Sequence, residues 1–103
     1  MINYIQNREN KSLEVCMRAV ITVIGKDQVG ILAGTSAEVS KARGNIVEVT
    51  QSVLQDFFAM IMLIDITEMN ISIDQLRENL KKNVKGMDIH VMHEDIFNTM
   101  HKI

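Results

Sequence analysis

Val23-Ile24-Gly25-Lys26-Asp27-Gln28-Val29-Gly30-Ile31-Leu32 is the stretch on which the fold turns. An apolar alternating run ends at Gly25, a polar loop follows between two glycines, and helical spacing begins at Gly30. The segment reads as strand, loop and helix. At such a corner the first N–H groups of the helix have no partner within it, and the helix dipole adds partial positive charge. An anionic group, such as the carboxylate of a small metabolite, suits that position.

Working outward, residues 18–25 are apolar on both alternating faces, with Ala19, Ile21 and Val23 on one and Val20 and Ile24 on the other. Residues 57–66 repeat the pattern, Ala59, Ile61 and Leu63 alternating with Phe58, Met60, Met62 and Ile64. Strands apolar on both faces belong inside a sheet. Residues 46–54 carry Val47, Val49 and Val53 on one face against Glu48, Thr50 and Ser52, and residues 88–93 alternate Ile89 and Val91 with Asp88, His90 and Met92. One-sided strands belong at its edges. Gln55-Asp56 is left as a tight hairpin turn, without the glycine that favours such turns.

Two helices fill the gaps. The first, over 30–43, presents Leu32, Thr35, Ser36, Val39 and Ala42 on one face and is stopped by Gly44 as a left-handed cap. The second opens on the capping-box pattern Ser72-Ile73-Asp74-Gln75, runs a stripe of Ile73, Leu76, Leu80 and Val84, and stops at Gly86. The order is β-α-β-β-α-β, an α+β ferredoxin-like sandwich whose four-stranded antiparallel sheet runs 4-1-3-2, with both helices on one face. The open face is expected to carry a Met60/Met62/Met92 patch that needs a cover. A short amphipathic C-terminal helix from Glu94, anchored by Ile96, Phe97, Met100 and Ile103, would supply part of it.

With 103 residues the chain has room for one domain, which would bury roughly 60–65% of its unfolded surface, so oligomerisation is expected. A formal net charge of −2 provides no positive field for nucleic acid or an anionic membrane. The single cysteine, Cys16, cannot close an intramolecular disulfide, and no apolar run approaches the ~18 residues of a membrane span. A cytoplasmic protein is expected. Residues 1–16 lack the apolar core of an export signal and read as an N-terminal extension, a candidate for disorder, ahead of a domain at 17–103.

The chemistry-bearing residues exclude more than they assign. Gly25 and Gly30 have phosphate-loop spacing, but Ile31-Leu32 follows where Lys-Ser/Thr would be required, so a nucleotide loop is rejected. His90 and His93 fall on opposite faces of a strand, and no further ligand stands at metal spacing. Neither a metal nor any other cofactor is expected. Aromatics number only four, Tyr4, Phe57, Phe58 and Phe97; the first strand has none and Asp56-Phe57-Phe58-Ala59-Met60 lacks the basic-glycine signature, so a single-stranded RNA platform is not expected. No nucleophile with a neighbouring base can be assembled, so no catalytic residue is assigned.

Gly25-Lys26-Asp27-Gln28-Val29-Gly30-Ile31-Leu32-Ala33, followed about a dozen residues later by Gly44-Asn45-Ile46, resembles the ACT domain, a small regulatory module of amino-acid metabolism. Residues 17–103 look like a stand-alone member, similar to small uncharacterised prokaryotic ACT proteins and to the halves of the glycine-cleavage repressor. The resemblance implies a homodimer or higher homo-oligomer with a continuous sheet, an amino-acid effector bound at its interface, and action through an unknown regulated protein. By position it implies a ligand site made of Gly25, Asp27, Val29, Gly30 and Ile31 in the loop, faced by Asn45 and Ile46 of the adjoining subunit. Gln28-Val29 departs from the proline that many members place before the glycine, which loosens the loop. The alternative reading is an interaction or oligomerisation subunit that binds no metabolite.

Overall fold

The computed structural model describes residues 17–26 and 30–101. Within them run strand β1 (Arg18–Gly25), helix α1 (Ile31–Lys41), strands β2 (Asn45–Leu54) and β3 (Phe57–Asp65), helix α2 (Ile73–Asn83), strand β4 (Asp88–His93) and helix α3 (Glu94–Met100). The sheet order β2-β3-β1-β4 is the expected 4-1-3-2 read from the other edge, with β1 antiparallel to both its neighbours. The N-terminal extension at 1–16, with Cys16 and Tyr4, lies outside the described residues, as does Ile103.

The register decides which side chains form the core. Residues directly opposite in an antiparallel ladder share a face, and Ile21 stands opposite Met62 and Val91, Val23 opposite Met60 and Ile89. These six point under the helices, where Leu76 and Leu80 of α2 and Val39 of α1 meet them, all fully buried or nearly so. The expected Met60/Met62/Met92 patch therefore does not form. Met60 and Met62 are core, and Met92 alone lies on the open face, opposite Val20. On that face Val20 is buried while Ile24, Phe57 and Ile61 are exposed. The difference is α3, which crosses one end of the open face against β1 and β4. Its Phe97 shares with Val20, Ile61 and Leu63 a small cleft of ≈ 210 Å³, and Arg18 clamps its first residue through a bidentate pair to Glu94 at 2.9 and 2.8 Å.

Three local expectations are corrected. A bulge between Ile46 and Glu48 takes Val47 out of the alternation, so it is exposed at the edge rather than sharing the inner face with Val49. In α1 the buried positions are Ile31, Thr35, Glu38 and Val39, while Leu32 is exposed, because the helix begins at Ile31 and its inward stripe is set from there. Its left-handed cap residue is Arg43 (φ 67), not Gly44. Arg43 N–H bonds Ser40 O at 3.0 Å and Gly44 N–H bonds Val39 O at 2.9 Å, the paired closure of a Schellman motif. Gly44 is needed for space instead, since a Cβ there would meet Val39 Cγ1 at 3.0 Å.

Helix α2 follows its signals closely. Ser72 Oγ accepts the Gln75 N–H at 3.0 Å, whereas the Gln75 side chain turns down the helix to Asn79 Oδ1 at 2.9 Å, so half of the capping box is used. Among the described residues no helix is long and apolar enough to cross a membrane.

Candidate functional site

Gly25 ends β1 beneath the side chain of Met87, from the loop between α2 and β4; a Cβ there would overlap Met87 Sδ, so the absent side chain gives Met87 its room. Gly30 follows at φ 77 as the residue preceding α1, in the left-handed region that glycine enters without strain. It offers no side chain to cap the helix, and the first turn of α1 holds no acidic residue. Gly34 N–H is the first to bond back, to Gly30 O at 2.8 Å. Among the described residues nothing accepts from the N–H groups before it.

These residues form one wall of an open cleft of ≈ 620 Å³. Gly25, Lys26, Gly30, Ile31 and Gly34 stand on one side, and Asn83 to Met87 of the α2–β4 loop on the other. Among the described residues of this lining the charged ones are Lys26 and Lys85, both cationic. These two lysines and the positive end of the α1 dipole suit a carboxylate. Gly86, at φ 80, turns the far loop.

A buried carboxylate ties the cleft to the helices. Glu38 of α1 is 7% exposed and accepts a hydrogen bond from Asn83 Nδ2 at 2.8 Å, while Lys41 Nζ lies 3.3 Å from the same oxygen. Asn83 is also cleft lining. The far wall is thus held through a charge-assisted bond to the helix whose N-terminus forms the near wall.

The positions drawn from the sequence separate into two groups. Gly25, Gly30 and Ile31 come together at the cleft. Asp27 and Val29 lie outside the described residues. Asn45 and Ile46, both exposed, stand at the opposite end of the same sheet: Asn45 pairs with Asp65, seven residues along β3 from Phe58, the partner of Gly25. At ~3.3 Å per residue that separates them by about 23 Å along the strand. Asn83, Lys85, Gly86 and Met87 were missed. Topology could have found them: in this order β4 begins beside the end of β1, so the β1–α1 and α2–β4 loops must emerge together.

Comparison with known proteins bears on this arrangement. The ACT domain family model matches residues 17–94. A UPF0237 protein of Methanopyrus kandleri is 46% identical over 88 residues, covering 84% of this chain and 98% of that protein. Among solved structures, an ACT domain protein from Streptococcus pneumoniae superposes with a TM-score of 0.69 at 29% identity, covering 81% of this chain and 96% of that one. The ACT domain from the GTP pyrophosphokinase of Chlorobium tepidum gives 0.56 at 18% identity, covering 76% and 100%, a likeness of fold alone.

Proposed function

The chain belongs to the ACT domain family, typically regulatory ligand-binding modules, and from that premise we propose that it binds a free amino acid between two copies of itself and acts through a partner rather than by catalysis. The observation that carries this reading is the N-terminus of α1, without a side-chain cap among the described residues, opening onto a cleft whose described charged residues are Lys26 and Lys85. Those groups suit the carboxylate of the ligand. The other half of the site is supplied by Asn45 and Ile46 of a second copy.

The sheet register supports that second half. β2 is an edge strand, with Ile46, Val47 and Val53 exposed along it. Two copies paired antiparallel through β2 form one eight-stranded sheet. Antiparallel pairing reverses the strand, so Asn45 of one copy arrives beside Leu54 of the other, at the end of the sheet where Gly25 and Gly30 stand. The 23 Å along the strand is removed between chains, leaving about 14 Å across the sheet, the three strand spacings from the second copy's β2 to β1. Asn45 offers both a donor and an acceptor, which suits an α-amino acid's own pair of groups.

A thermal-shift panel of the twenty amino acids tests the reading. A ligand at about 100 times its Kd adds roughly 2.7 kcal/mol of apparent stability. One amino acid should shift the wild type, and the shift should vanish in Asn45→Ala and shrink in Gly30→Ala, where φ 77 penalises a side chain. A panel without any shift sinks the amino-acid reading.

A further inference from the structure

At the far end of β1 from Gly25 the molecule carries a second cleft, of ≈ 510 Å³. It lies where β1 begins and β4 ends, and among the described residues its walls are chiefly apolar: Met17, Ile66, Met69, Ile71, Ile73 and Ile96. Ile66, Met69, Ile71 and Ile73 are partly buried side chains packed against the core, so the cleft continues the core outward. Met17 is 45% exposed and Ile96 51%. Arg77, also in the lining, is already committed: its guanidinium bonds Asp74 Oδ1 and Val91 O, each at 2.6 Å. With that arginine satisfied, the cleft suits apolar side chains better than a charged metabolite.

We infer that the occupant is the chain's own segment just ahead of Met17, with Leu13 and Val15 seated in this cleft. Met17 is held in the sheet, its N–H donating to Thr67 Oγ1 at 3.2 Å and its carbonyl accepting from Ile66 N–H at 2.9 Å. The segment that precedes it therefore starts at a wall of the cleft. A rounded space of this volume is about 10 Å across, and four extended residues span up to ~14 Å, so Leu13 reaches the far wall and Val15 the near half. In extended backbone alternate side chains share a face, which puts Leu13, Val15 and Met17 on one side and Glu14 and Cys16 on the other. That row prolongs Ala19, Ile21 and Val23, the fully buried, core-facing row of β1.

Tether and composition both favour this segment over a separate partner. A side chain four residues from Met17 is present at an effective concentration in the millimolar range, against which any free chain must compete. Leu13 and Val15 are also set apart from Ile2, Tyr4 and Ile5 by the seven polar residues 6–12, so they are the apolar pair within reach. The ACT domain match begins at residue 17, and the Gly25 cleft lies at the other end of β1, so this contact does not depend on the amino-acid site proposed above.

Methyl-labelled NMR of the full chain, without ligand, tests it. Cross-peaks are expected from the Leu13 and Val15 methyls to those of Ile71, Ile73 and Ile96, and in a mixture of two differently labelled populations they should stay within one chain. Leu13→Asp and Val15→Asp should each lower the thermal midpoint by roughly 4–8 °C, while Ile5→Asp leaves it unchanged. Val15→Ala combined with Ile73→Ala should lower it by less than the two losses added together, the mark of side chains in contact. Absence of the cross-peaks overturns the inference, as does a midpoint indifferent to both aspartates or a strictly additive double variant. Cross-peaks between differently labelled chains overturn it in favour of a second copy's segment as the occupant. Ile5→Asp as damaging as Leu13→Asp overturns the assignment to Leu13 and Val15.

Discussion

Two residues sit where their chemistry is least comfortable. Thr35 is fully buried on α1, and its hydroxyl has no hydrogen-bond partner among the described residues. An unmet buried hydroxyl costs about 1–3 kcal/mol, so Thr35→Val, which keeps the shape and removes the polar atom, should raise stability by about 1 kcal/mol in urea unfolding. Arg43 holds a left-handed conformation that costs a non-glycine residue about 1–2 kcal/mol, part of which a glycine returns through its freer unfolded chain. Arg43→Gly should gain about 0.5 kcal/mol, measured the same way. Gly25 behaves oppositely: Gly25→Ala forces Met87 off the end of β1 and should lower both stability and ligand response. Apolar spacing puts Thr35 on the inward face but not its unmet hydroxyl, and it gives neither the turn at Arg43 nor the approach of Met87 to Gly25.

The elements themselves were largely legible. Alternation placed β1 and β3 inside the sheet, and Ser72 placed the start of α2 through a bond that the structure contains. Ser72→Ala should cost about 1 kcal/mol, read as a lower midpoint with an unchanged denaturant slope. What alternation could not settle was the face on which each apolar row lies. Alternation put Met60 and Met62 on the open face, and the register, setting them opposite Val23 and Ile21, puts them in the core instead. The bulge at Val47 was hidden for a related reason, since one extra residue in β2 changes the count without changing the composition. The hairpin was found with an unfavourable residue in it: Gln55 turns at φ 52, and Gln55→Gly removes that strain, with an expected gain of a few tenths of a kcal/mol.

For the whole molecule, the glycine corner between β1 and α1 was readable in the sequence and the wall that faces it was not. Gly25 and Gly30 announced a corner by their spacing, but the α2–β4 wall follows from topology, and the distance to Asn45 follows only from the register. That distance makes ligand binding and self-association one measurement: in the proposed site, ligand response should rise with protein concentration below the dimer dissociation constant. The third helix is also a whole-molecule feature, because it ties the last helix to the first strand through Glu94 and Arg18. A chain ending at His93 uncovers Val20 and Leu63, and it should bind a hydrophobic dye more strongly and melt at lower temperature than the full protein.

The exposed margin of β2 has a cost that shows only when nothing is attached to it. It is ten residues long, carries Glu48 as its single charge, and belongs to a chain with no proline at all. Natural sheets guard such margins with lysines, prolines or brevity. Here a bulge is the only such safeguard on the strand, so dissociated copies present a ready template for runaway strand addition. Amyloid-like precipitation on dilution, on heating or during synthesis ahead of assembly is the hazard this strand carries, and a lysine in place of Val53 is the substitution that should suppress it.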